Sequence, residues 1–185
     1  MALTVTRKGY GQVEPNHLSA QYTGQIYAQL PAMTAGTGGA ADTPITQLEN
    51  GQFLKYNYAD GRAGVDGDGE WMLVYNEEKL YDERHQSHKD FVLKANEMFD
   101  KTIYPRLLKT NVGDIFTTNT FASAGTGYDA TVVGPSLTVG NYLTVSAAGW
   151  LQKADSKPAS GMAFQVVKEY NLADLQPAVK IQRIQ

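Results

Sequence analysis

The chain has no cysteine. Disulfides, zinc–thiolate sites and thiol nucleophiles are therefore excluded, and an oxidising compartment gains no support. Histidine is scarce: only His17, His85 and His88 are present, none in a strand-end context that would position a catalytic base. Charge of either sign is modest, 16 Lys and Arg against 19 Asp and Glu for a net −3. That balance gives no argument for a nucleic-acid or anionic-membrane partner. No run of about 18 apolar residues exists to span a bilayer. The opening MALTVTRKGYGQ lacks the apolar stretch of a secretory signal, so the expectation is a protein made in a cytoplasm and kept or assembled there.

What is abundant is glycine and tyrosine, 18 and 11 residues respectively. Glycine serves turns, and tyrosine with β-branched residues serves half-exposed pleated surfaces. The expected fold is mainly β: a small barrel or sandwich-like domain with an extended N-terminal arm and little helix. At 185 residues a compact chain buries roughly 70% of its extended surface without needing a metal or disulfide.

Residues 1–42 read as an extended arm and linker. AGTGGAADTP, residues 35–44, is a Gly/Ala-rich linker by composition. The short segment YTGQIYAQL, Tyr22 to Leu30, is too small for a core of its own. Tyr10, Tyr22, Ile26, Tyr27 and Leu30 are therefore the expected partner-contacting residues, added to a neighbour's strand edge when the arm orders.

Residues 43–185 read as the β-rich domain, with a charged excursion at about 77–104. Asn50-Gly51 and Asp60-Gly61 bracket a strand from Gln52 to Tyr58, and Trp71 to Tyr75 is a continuous apolar run suited to burial on both faces. Further strands are expected near Phe91 to Leu93, at Ile115 to Thr120, on either side of the turns at Gly140-Asn141 and Ala147 to Gly149, and in GMAFQVVKEYNL and AVKIQRIQ. ASAGTGYDATVVGP reads as a flexible excursion. Turns every 8–12 residues are the spacing of a sandwich or small barrel. Trp71 and Trp150 are expected in strands, as core or interface residues.

Two places invite a metal. In GVDGDGEWMLVYNEE, Asp66, Asp68 and Glu70 alternate as in a Ca²⁺ loop, and Glu77 falls at position 12. Trp71, however, occupies the position that must be glycine. Paired D-G dipeptides before a strand signal a hairpin turn instead. His85 and His88, near Asp82 and Glu83, are i, i+3 rather than the i, i+4 of a helical zinc site. No nucleophile elbow, Walker loop or dinucleotide fingerprint is present, and GTGG has no helix after it. The expectation is a non-enzymatic protein with no catalytic, cofactor or metal residues.

The succession LENGQFLKYNYADG, GEWMLVYNEEKLYD, YPRLLKTNVGDIFTTN, VGNYLTVSAAGWLQKA and AVKIQRIQ resembles tailed-bacteriophage head proteins of the decoration or cement type, over about residues 45–185. The resemblance implies a small β-barrel or β-tulip and a virion protein on the capsid surface that contacts the major capsid protein and its own copies, with no nucleic acid or membrane as partner. A receptor- or glycan-binding fibre module, or another capsid shell component, is the alternative.

Overall fold

The apolar run Trp71–Val74 sets the layering. Successive side chains of a strand point to opposite faces, and here both faces are covered. Leu73 enters one hydrophobic cluster, while Met72 and Val74 enter a second. The computed structural model describes residues 2–14, 26–28, 30–36, 40–76, 92–123 and 131–185.

Sixteen strands are formed among the described residues. The first half of the chain carries β1 (Leu3–Lys8), β2 (Ile26–Ala28), β3 (Met33–Thr34), β4 (Thr43–Pro44), β5 (Gln47–Glu49) and β6 (Phe53–Asn57). Then follow β7 (Arg62–Gly64), β8 (Trp71–Val74), β9 (Val92–Lys94), β10 (Leu107–Leu108) and β11 (Ile115–Thr118). The remainder are β12 (Thr131–Leu137), β13 (Tyr142–Val145), β14 (Leu151–Ala154), β15 (Ala163–Asn171) and β16 (Pro177–Arg183). One 3-10 turn, Ala95–Glu97, is the only helical element among the described residues.

Two five-stranded antiparallel sheets, ordered β2-β10-β8-β6-β7 and β11-β16-β15-β13-β14, form the framework. Three two-stranded ribbons, β1-β12, β3-β4 and β5-β9, complete it. The mainly-β expectation holds, and among the described residues the sheets stay open rather than closing into a barrel.

Between the two sheets lies the first cluster. Phe53, Leu73 and Leu108 meet Phe116, Leu143, Phe164, Val166, Val179 and Ile181 there. Phe53, Phe116 and Phe164 are in mutual contact, with ring centroids 5.6–6.5 Å apart. On its far face the first sheet meets Ala32, Leu48, Ala95 and Ile103 through Leu54, Tyr56, Met72, Val74 and Leu107. That sheet is consequently the middle layer, which explains its nearly unbroken apolar strands.

The arm expectation is corrected. β1 pairs with β12, and Val5, Tyr10 and Val13 are buried. β2 pairs with β10, so the strand addition expected on a partner takes place within the chain. The proposed linker has its ends paired as well, Met33 to Pro44 and Thr34 to Thr43, with the Asp42 carboxylate accepting from the Gly36 amide at 3.0 Å. The expected excursion 122–135 is also corrected at its end, since Thr131–Leu137 is a strand. An alternation weakened by Gly134 and Pro135 conceals it, and β1 supplies its partner.

The segment from Val65 to Glu70 is a connection, but it does not form a hairpin. β7 and β8 do not pair with each other; both pair with β6, which lies between them. The chain must cross β6, and at Gly67 a Cβ atom would collide with the Tyr56 carbonyl. This close approach, more than a tight turn, is what the glycine permits.

Candidate interaction surface

The five expected contact residues do not form one surface. Tyr10 is 6% exposed, and the Lys94 ammonium sits 5.6 Å from its ring centroid. Leu30 packs against the second cluster. Ile26 and Tyr27 lie in β2, and Tyr22 lies outside the described residues, as do His17, Asp82, Glu83, His85 and His88. The withdrawal of Tyr10 and Leu30 has a physical cause: an apolar segment beside an open sheet buries itself on its own domain before any partner is met.

Two of the three alternating acids, Asp66 and Glu70, have cationic partners. Both carboxylate oxygens of Asp66 accept from Arg62, at 2.9 and 2.7 Å. These hydrogen bonds hold the Asp66 carboxyl below its ordinary range, against the opposing effect of burial. Arg62 also lies 2.8 Å from Asp42 and 3.4 Å from Asp60, stapling three connections. Glu70 takes Lys109 at 2.8 Å and Arg183 at 3.2 Å. Partial burial would raise the Glu70 carboxyl, but hydrogen bonds and charge from Lys109 and Arg183 outweigh it and lower it.

Beside that pair, Tyr56 and Tyr58 stack with centroids 5.1 Å apart and planes 19° from parallel. Together with Gly69, Glu70, Met72 and Lys109 they line a shallow recess. Tyr58 is 65% exposed, so this corner presents an aromatic face next to a carboxylate and an ammonium.

A second feature was missed in the sequence because it falls inside the charged excursion. Phe99 is fully exposed at the corner of a turn closed by the Lys101 amide donating to the Met98 carbonyl at 3.1 Å. Lys101 has φ 56°. Asp100 fixes the descending limb, accepting from the Thr102 amide at 3.0 Å and the Tyr104 hydroxyl at 3.1 Å. The hydrogen bond to Asp100 raises the Tyr104 phenol above its ordinary value. An apolar ring is thus held outwards on a preformed turn.

The two tryptophans, expected in strands as core or interface residues, are half-buried. Trp71 lies in β8, packed against the first cluster, with Lys55 4.6 Å from its ring. Trp150 immediately precedes β14.

No protein-family model matches the chain, and neither the curated proteins nor the solved structures include a significant match.

Proposed function

We propose that this chain is a non-enzymatic virion structural protein, a phage head decoration or cement protein that binds the capsid shell and ties major capsid subunits together. The reading rests on the order of the segments from residue 45 onwards and on one observation of geometry. Phe99, fully exposed, stands on a turn that is ordered without a partner. Large aromatic residues presented on rigid supports are the usual hot spots of protein interfaces, because little conformational entropy is lost on docking. The contact surface moves accordingly, from the N-terminal residues to the 98–104 turn.

The test uses shells assembled without this protein. Wild-type chain should bind them, and Phe99→Ala should bind roughly tenfold or more weakly while unfolding at the same urea concentration. Equal binding by the two would refute the role of Phe99, and absence of wild-type binding would refute the shell reading itself.

The Tyr56–Tyr58 stack beside Glu70 favours the second reading, a glycan-binding module, since tyrosine faces stack on sugar rings. Retention on immobilised neutral glycans that is abolished by Tyr58→Ala would support it over the shell reading.

A further inference from the structure

The β15–β16 hairpin ends in five residues, Leu172 to Gln176, closed at its base by the Asn171–Pro177 pair. The loop is extensively fixed. The Leu172 amide donates to the Gln176 carbonyl at 2.9 Å, and the Leu175 amide to the Leu172 carbonyl at 2.8 Å. Asp174 accepts from the Gln176 amide at 3.1 Å, from the Gln176 side chain at 2.7 Å and from the Gln12 side chain at 2.8 Å. Gln176 in turn accepts from the Lys8 amide at 2.8 Å. Leu172 turns inwards and is buried.

Leu175 does the opposite. Its φ is 66°, in the left-handed region that a bulky side chain disfavours, and its side chain is 81% exposed. The loop's hydrogen bonds account for the backbone conformation, but not for leucine at that position. Asparagine or glycine would suit the backbone better, and either would remove an exposed apolar side chain. The residue is unfavourable for the isolated fold twice over. Strained positions that the fold could easily relieve are where function is to be sought.

We propose that Leu175 is a docking knob that enters an apolar pocket on another protein. Under the reading given in Proposed function, on which this inference rests, that protein is the shell subunit. Protein is the partner the chemistry favours. The Asp174 carboxylate beside the knob is held inwards by Gln12 and Gln176, so the tip offers a lone branched aliphatic group on a rigid loop. Such a group selects by the shape of the apolar pocket that it fills. Phe99 and Leu175 are independent presentations of the same kind: Leu175 is itself left-handed, and Phe99 lies two residues before the left-handed Lys101.

The experiment compares wild type, Leu175→Asn, Leu175→Gly and Leu175→Met in two measurements: the urea midpoint, and affinity for shells assembled without this chain. Leu175→Asn should unfold at the same or a higher midpoint yet bind roughly tenfold or more weakly, with Leu175→Gly losing binding likewise and Leu175→Met retaining most of it. If wild type binds and Leu175→Asn binds equally well, the knob is refuted. A lowered midpoint for Leu175→Asn would also refute it, by showing that the side chain serves its own fold. If wild type does not bind the shells, the functional reading falls and the inference falls with it, an outcome distinct from the other two.

Discussion

Arg7 and Glu49 form an ion pair at 2.9 Å in which each side chain is 1% exposed. It joins β1 to β5 across the molecule. Arg7 also donates to the carbonyls of Gly9 and Ala122, and Glu49 accepts from the Gly11 amide at 2.8 Å and the Ser123 hydroxyl at 3.2 Å. A buried pair is weak evidence for stability in itself, because desolvation offsets attraction, but breaking one side leaves a charge stranded.

Arg7→Met should accordingly destabilise the protein by about 3–5 kcal/mol. Adding Glu49→Gln to it should recover part of that loss by removing the stranded charge. Urea unfolding of the two single variants and the double variant gives the coupling directly. An additive double variant would show that the pair does not act as a unit.

Removal of residues 2–14 should abolish cooperative folding or lower the urea midpoint severely, because Val5 and Val13 belong to the first cluster. Thr118 and Asn119 would also lose partners. The Thr118 hydroxyl donates to the Gln12 carbonyl at 2.7 Å, and the Asn119 side-chain Oδ1 accepts from the Gln12 backbone amide at 2.9 Å. A truncated chain that unfolds like the full one would restore the separate arm.

Strands β6, β8, β9, β11 and β13 to β16, with most of their turns, were legible in the sequence because local rules govern them, whereas β1, β3, β4, β5, β7, β10 and β12 were not. Phe53 to Tyr58 alternates, Trp71 to Tyr75 is apolar throughout, and glycines mark the turns at residues 51, 61, 113, 140 and 149. Pairing over long distances was not legible. Nothing local in LTVTRK names TVVGPSL as its partner, and Tyr10 reads equally well as a core residue and as a surface contact. For the same reason the polar run Thr117 to Thr120, wholly buried, looked like an ordinary strand end. Phe99 and Tyr58 were hidden for a different reason: exposure depends on what the rest of the chain fails to cover.

Gly149→Ala should cost roughly 1–3 kcal/mol. Gly149 has φ 80°, and its added Cβ would meet the Phe53 carbonyl. Its own carbonyl accepts from the Phe53 amide at 2.8 Å, so the β13–β14 turn is pressed onto the start of β6. Differential scanning calorimetry of the variant checks this, and an unchanged transition would contradict it.

Stability should fall in acid partly through Asp66. Its carboxyl is depressed in the fold, so its contribution is present above about pH 4 and is lost as pH falls through the lower folded value. Asp66 is partly exposed and screened, which limits the contribution to about 1 kcal/mol. Asp66→Asn should be less stable than wild type at neutral pH, with the difference shrinking below pH 4; a constant difference would assign the effect elsewhere.

The placement of β16 between β11 and β15 has a consequence for how the molecule is made. A nascent chain emerging from a ribosome presents β11 long before β16 exists to pair with it, and β1 has no ladder partner until residue 131 has appeared. β1 and β11 must therefore stay unpaired, with open edges, while their later partners are synthesised. Such a topology folds slowly and is exposed to aggregation meanwhile, so its yield should depend on how fast translation delivers the later strands.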